Sequence, residues 1–178
     1  MPIDHGRTLR GALAGVAAAG VWAAQMPIDK RLFRSPHDDI ELLGKLIVRR
    51  GRGWRAAGVA WHLGNGALFG AAYANLAPSM PLPSWARAPF ASMFENVASL
   101  PLAAAAEAAS PVPHSPPLRS PRAIGQAVWR HLVFGVVLGE LERRLNPPAR
   151  DEPAPRPTVL SANGHGNIEH AGTAIGLR

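Results

Sequence analysis

Residues 56–86 read AAGVAWHLGNGALFGAAYANLAPSMPLPSWA, a run of 31 positions between Arg55 and Arg87 without a charged side chain. A helix of about 20 mostly apolar residues spans the hydrocarbon core of a bilayer. A further 18 uncharged residues lie between Arg10 and Asp29. These two blocks indicate an all-α integral membrane protein, although the mean hydropathy of the whole chain is close to zero.

A short repeat predicts a second helical hairpin. The pattern His-Leu-x-x-Gly-x-x-x-Gly occurs at residues 62–70 and again, 69 positions later, at residues 131–139. The second copy contains only nine uncharged residues, so the repeat is what favours a membrane helix there. We therefore predict a bundle of two hairpins related by a parallel repeat. Its four transmembrane helices are expected at about residues 8–26, 55–76, 84–109 and 121–145.

The four helices form one predicted transmembrane domain, residues 1–146. Residues 147–178 are rich in proline, glycine and polar side chains, a composition typical of a disordered tail. Arg7 and Arg10 before a run of alanine and glycine could also begin a cleaved signal peptide. The run lacks a clean cleavage pattern, so we expect it to be retained as the first helix, ended by Pro27.

An amphipathic helix is predicted in the first loop, at about residues 36–50. Ser35 is the expected N-cap, Pro36 occupies the first helical position, and Gly51 follows the last turn. The helix either packs on the bundle or lies on the membrane surface. In the second case, residues 36–52 would contact anionic lipid.

Small residues are predicted to bring the membrane helices together. Gly11 and Gly15 share one face of the first helix, and the repeat supplies two GxxxG pairs. In lipid, close approach of helix backbones is a main source of packing energy. The predicted packing pairs are Gly66 with Gly70 and Gly135 with Gly139.

A candidate polar cluster lies among these helices. Glu95 shares a face with small residues and is therefore expected to point into the bundle, toward His62, His131 or Arg130. Ionisable groups within a membrane are costly, so they mark candidate functional sites. The cluster either handles protons or a ligand, or holds the helices in register through buried hydrogen bonds.

Several functional classes find no support in the sequence. There is no cysteine, and no metal, nucleotide or nucleophile motif is present, so we expect no cofactor, no metal and no enzyme activity. The net charge of +7 comes with no aromatic–basic pattern, so no nucleic-acid partner is expected. Basic residues that flank membrane helices explain the positive net charge better. Their larger number in the loops at residues 28–54 and 110–121 predicts that those loops are cytoplasmic and both termini outside.

The order of features is similar to the YagU-like family of small bacterial inner-membrane proteins, a domain of unknown function. The resemblance covers about residues 8–146. It is carried by Gly-Ala-Leu-Ala-Gly at 11–15 leading to Pro27, His62 followed by Gly70 and Tyr73, Phe94-Glu95-Asn96 before Pro101, and His131-Leu132-Val133-Phe134 ending in Arg143-Arg144. The resemblance implies a multi-pass protein of the bacterial inner membrane and implies no reaction.

Two functions are compatible with these features. The first is a structural or accessory component of the membrane, in contact with the lipid bilayer and able to form homo-oligomers through its GxxxG faces. The alternative is a proton-linked transporter or conductance for a small solute. It would act as an oligomer through Glu95, His62 and His131.

Overall fold

The computed structural model describes residues 4–109 and 120–147, and these residues form helices and no strand. The α-helices are α1 (His5–Leu32), α2 (Asp39–Ile47), α3 (Trp54–Leu76), α4 (Ser84–Ala98), α5 (Leu100–Ala109) and α6 (Pro121–Leu145). The all-helical prediction is confirmed. The predicted tail from residue 148 onward and the loop at 110–119 lie outside the described residues.

Only α1, among the described helices, is long and apolar enough to span a membrane by its own composition. The other long helices, α3 and α6, dilute their apolar side chains with glycine and polar or charged residues. The apolar helix α5 is only ten residues long. By length and composition, α1 is therefore the one candidate membrane span among the described helices.

Helix α1 continues past Pro27, so the prediction that this proline ends the helix is wrong. Proline in a helix interior removes one hydrogen bond and crowds the preceding turn, at a cost of about 3 kcal/mol. Here the helix gains a further turn, in which the carboxylate of Asp29 is completely buried and bonded to α6. Those buried contacts offset the cost of Pro27.

Helix α2 is shorter than the predicted 36–50 and begins three residues later. Its N-cap is Asp38, not Ser35, because an Asp38 carboxylate oxygen accepts the Glu41 N–H at 2.9 Å. Residues 35–38 instead lie against α6. There the carbonyls of Ser35 and His37 accept hydrogen bonds from the side chains of Gln126 and Arg130. The helix ends at Ile47 with Val48 as its C-cap, so Gly51 is not the residue that follows its last turn.

The predicted third helix, 84–109, is two helices separated at Ser99. Pro101 cannot donate to the Val97 carbonyl, and its ring would crowd that carbonyl. Helix α4 therefore stops at Ala98, and Pro101 falls in the first turn of α5, where no N–H is needed. The second and fourth predicted helices match α3 and α6 closely.

Helices α1 and α6 form the centre, with α3 packed mainly on α1 and α4 mainly on α6. The two predicted hairpins are thus neighbours in space as well as in sequence. A side chain on Gly15 would overlap the backbone carbonyl of Gly66 on α3, and one on Gly70 would overlap the backbone carbonyl of Gly11 on α1. In the second hairpin, a Cβ on Gly135 would lie 2.7 Å from the Cα of Pro89. Both GxxxG pairs therefore pack against helices of the same chain.

Candidate functional site

A buried ion pair between α1 and α6 is the main polar feature of the described structure. The guanidinium of Arg130 donates from Nε to Asp29 Oδ2 at 2.7 Å and from Nη2 to Asp29 Oδ1 at 2.8 Å. The two side chains are 1% and 0% exposed. This two-bond geometry is the strongest that an arginine and a carboxylate form.

Helix α2 adds a second carboxylate to the same guanidinium. Arg130 Nη1 donates to Asp39 Oδ2 at 2.7 Å, and Nη2 donates to the carbonyl of His37 at 3.0 Å. The His37 ring lies with Nε2 2.8 Å from Asp39 Oδ1. Two carboxylates thus face one guanidinium. When His37 is protonated, the cluster holds two positive and two negative charges. We call Asp29, His37, Asp39 and Arg130 the arginine cluster.

Amide side chains complete the hydrogen bonding of Asp29. Gln126 Nε2 donates to Oδ1 at 2.6 Å, and Gln25 Nε2 donates to Oδ2 at 2.8 Å. The indole N–H of Trp129 then donates to Gln25 Oε1 at 2.9 Å. Each carboxylate oxygen of Asp29 therefore accepts two hydrogen bonds, which compensates for its removal from solvent.

The cluster joins α6 to α1, to α2 and to the chain just before α2. An arginine side chain has five N–H donors, and Arg130 uses four of them on protein acceptors. In the described residues, no group of histidine and carboxylate side chains is arranged to hold a metal ion. The arrangement therefore fixes the first loop and α2 against α6.

The ionisation of His37 and Asp39 makes the arginine cluster sensitive to pH. Burial lowers the pKa of His37, but its hydrogen bond to Asp39 and that carboxylate's charge outweigh this, so the pKa is raised above 6.5. Burial raises the pKa of Asp39, but the His37 bond and the Arg130 charge outweigh it, so the pKa is lowered below 3.8. Glu107 also contributes to the raised pKa of His37.

We predict that stability falls as pH rises above about 6.5. The raised pKa of His37 means that its contribution is complete below that pH and is lost as pH passes the folded-state value. The contribution of Asp39 is present above about pH 3.8 and is lost as pH falls through its lower folded-state value. Unfolding in detergent from pH 5 to 9 measures this. A His37→Gln variant should show a smaller decline on the alkaline side, and parallel curves for the two proteins would contradict the prediction.

The structure brings two of the predicted site residues together. Glu95 Oε2 lies 3.0 Å from His131 Nε2, across the α4–α6 contact. His131 Nδ1 is 2.7 Å from the Ala127 carbonyl, so that nitrogen carries a proton. The Glu95 side chain is 44% exposed and that of His131 12%, which places the pair at the edge of the helix contact.

The other two predicted site residues lie apart from this pair. His62 Nε2 is 3.2 Å from the Ala19 carbonyl on α1. The Trp22 ring packs edge-on against both histidines, at centroid distances of 5.3 Å to His62 and 4.7 Å to His131. Arg130 is held by Asp29 and Asp39, as described above. Glu95, His62, His131 and Arg130 therefore do not form one hydrogen-bonded cluster.

Sequence reasoning missed Asp29, Asp39 and Gln126. A signal for Asp29 exists: it extends the buried face of α1 from Ala18 through Trp22 at spacings of three and four. Treating Pro27 as the end of the helix removed Asp29 from that face. The partners of Arg130 lie 91 and 101 positions away, and no local pattern identifies them.

Comparison with known proteins adds no relative: no family model, no curated protein and no solved structure matches this chain. The similarity to the YagU-like family stays a prediction. The function has to be inferred from the geometry of the chain.

Proposed function

We propose that the chain is a non-catalytic, multi-pass protein of the bacterial inner membrane, with α1, α3, the α4–α5 pair and α6 crossing the bilayer. It would serve as a structural or accessory component of that membrane. The observation that carries the proposal is the reversed distribution of side chains, with small and polar residues inside and large apolar residues outside.

Large apolar side chains cover the outside of the helices. Trp85, Leu102 and Leu68 are 79%, 74% and 72% exposed, and they lie on three different helices. Water-soluble monomers seldom expose large contiguous apolar patches. In a bilayer the same side chains face lipid tails, where their exposure has no hydrophobic cost.

The interior is rich in small and polar residues, beside a few large apolar side chains such as Trp22 and Leu138. Ala18, Ala74 and Ala88 are among its least exposed residues. Five of the six largest fully buried side chains are polar or charged: Arg130, Gln126, Asp29, Ser35 and Ser92. A water-soluble core is dominated by leucine, isoleucine, valine and phenylalanine. Ionisable groups in membrane helices face the bundle interior and pair with one another, as Arg130 and Asp29 do.

The helix lengths are compatible with this placement. At 1.5 Å per residue, the 23 residues of α3 and the 25 of α6 extend about 35 Å and 37 Å. The hydrocarbon core of a bilayer is about 30 Å thick. A break in the α4–α5 segment is tolerated when neighbouring groups satisfy the freed backbone. The Ser99 N–H is directed to the Val97 carbonyl, which Pro101 leaves without a donor, as well as to the Glu95 carbonyl.

A proton-linked transporter or conductance is less well supported. The Glu95–His131 contact favours a polar role for this pair, but Trp22 lies between His131 and His62. The GxxxG pairs are occupied by contacts within the chain. A homo-oligomer would therefore have to use other helix faces.

We expect the full chain to remain in the membrane after alkaline carbonate extraction, and α3 to separate its two flanking loops across the bilayer. The chain has no cysteine, so single cysteines at the exposed positions Ser79 and Arg50 report sidedness cleanly. An impermeant thiol reagent applied to intact cells should label only one of Ser79→Cys and Arg50→Cys. Complete extraction by carbonate, or labelling of both positions to the same extent, would contradict a multi-pass arrangement.

A further inference from the structure

The two ends of the helix bundle differ in whether their arginines have partners within the chain. One end contains the start of α1, the end of α3, the start of α4 and the end of α6; we call it the Glu142 end. All five arginines that the structure describes there are bonded within the chain: Arg7 to Glu142 and the Ala74 carbonyl, Arg10 to Asn146, Arg87 to the Leu82 carbonyl, and Arg143 and Arg144 to Glu140. Three of the five pair with a carboxylate, and Arg10 and Arg87 are held by neutral acceptors, so each arginine at this end is already engaged within the chain.

At the opposite end, arginines have no such partners. Seven exposed arginines make no side-chain hydrogen bond or ion pair with any described residue: Arg31, Arg34, Arg49, Arg50, Arg52, Arg55 and Arg122. The two lysines at this end, unlike the arginines, have carboxylate partners. Lys30 pairs with Asp38 and Lys45 with Glu41, each at 2.6 Å. These arginines therefore leave seven positive charges without a partner among the described residues.

Four of these arginines are concentrated in residues 49–55, RRGRGWR, which we call the arginine segment. It follows α2 and includes the first two residues of α3. Gly51 turns the backbone with φ +91°, a conformation that favours glycine. Trp54 is half-buried, with Lys45 Nζ and the Arg55 guanidinium 5.3 and 5.2 Å from its ring. Tryptophan is typical of the level of lipid headgroups.

Helix α2 itself is not free to lie on a membrane. A Cβ on Gly44 would overlap the carbonyl of Trp54, and one on Gly58 would overlap the carbonyl of Ile40, so α2 packs tightly on α3. Its buried side chain Leu42 faces the protein. A lipid contact at this end therefore falls to the arginine segment rather than to the amphipathic face of α2.

We propose that the arginine segment, with Arg31 and Arg34 at the same end of the bundle, binds the headgroups of anionic phospholipids. The inference rests on the proposed insertion of the chain into a membrane. Guanidinium groups form two parallel hydrogen bonds with a phosphate. Short arginine-rich loops stay on the cytoplasmic side, where anionic lipids give the leaflet its negative surface potential. Each such arginine is expected to strengthen binding about fivefold.

The test uses the full chain in zwitterionic detergent, titrated with phosphatidylglycerol that carries a nitroxide on its headgroup. Quenching of Trp54 fluorescence, taken as the difference from a Trp54→Phe protein, reports binding beside the arginine segment. The double variant Arg49→Gln/Arg50→Gln should bind about 25-fold more weakly. Labelled phosphatidylcholine should bind weakly to both proteins, and salt should weaken the phosphatidylglycerol complex.

A matched control is available at the Glu142 end. Arg143→Gln/Arg144→Gln removes the same charge from two adjacent, exposed arginines that already pair with Glu140. It should change phosphatidylglycerol binding less than about twofold, since these two lie at the far end of the bundle. Equal effects of the two double variants would overturn the proposal, and so would equal binding of phosphatidylglycerol and phosphatidylcholine.

Two further measurements separate the possible failures. If soluble glycerol 3-phosphate displaces the labelled lipid at equal concentration, the segment binds free phosphate and the lipid assignment is wrong. If the parent protein leaves the membrane in carbonate, the proposed membrane function fails instead. A parent protein that stays in the membrane but shows no preference for phosphatidylglycerol contradicts this inference alone.

Discussion

Replacing Arg130 with methionine should lower the free energy of unfolding by about 3–5 kcal/mol, the usual effect of leaving a buried charge without its partner. Methionine keeps much of the length of the side chain but has no donor. Asp29 would lose two hydrogen bonds and its counter-charge while staying completely buried. Asp39 would lose one bond, and the His37 carbonyl another. Thermal or denaturant unfolding in detergent measures the change.

Arg144→Met is the matched control on the same helix. Arg144 pairs with Glu140, but its side chain is 71% exposed, and exposed ion pairs contribute about 0–1 kcal/mol. A second comparison separates charge from packing: adding Asp29→Leu to Arg130→Met removes the unpaired carboxylate and should restore part of the lost stability. If Arg130→Met and Arg144→Met unfold within about 1 kcal/mol of each other, the buried pair does not hold the first loop to α6.

The repeat predicted a helix at residues 121–145, and the bounds of α6 match that prediction. In the structure Ser120 caps the helix and Pro121 fills its first position. Prolines within helices were harder to interpret. Pro27 does not end α1, whereas Pro101 does divide the predicted third helix. What decides between these outcomes is whether buried contacts beyond the proline offset its cost, and those contacts come from distant parts of the chain.

The same limit applies to the polar residues. Arg130 stands out in the sequence because it interrupts an apolar run, yet its partners could not be read from spacing. Glu95 lies midway along an apolar segment of the sequence, and the structure places it beside His131 at a half-exposed position. The fully buried carboxylate is Asp29, at the end of α1. Periodicity identifies which face of a helix is buried, but only the assembled helices determine which charges meet.

A large packing effect is expected at Gly66, where α1 and α3 are in close contact. A Cβ there would lie 2.6 Å from the Cβ of Ala19 and 2.7 Å from the carbonyl oxygen of Gly15. A leucine would have to push the helices apart, which would also loosen the approach of Gly70 to Gly11. We expect Gly66→Leu to lower the free energy of unfolding by about 3 kcal/mol, at the upper end of the usual cost of overpacking.

Gly64→Leu provides the control two positions earlier on the same helix. No atom lies within 4 Å of a Cβ at Gly64, and the residue is exposed. Leucine is a better helix former than glycine by up to about 1 kcal/mol, so this change should be neutral or stabilising. Unfolding in detergent compares the two variants, and the particle mass in the same detergent shows where the glycines act. If Gly66→Leu lowers the particle mass while leaving the monomer as stable as Gly64→Leu, then Gly66 joins separate chains and the α1–α3 contact is not the one it serves. A loss of stability at unchanged mass is the expected result, because Gly66 faces α1 of its own chain.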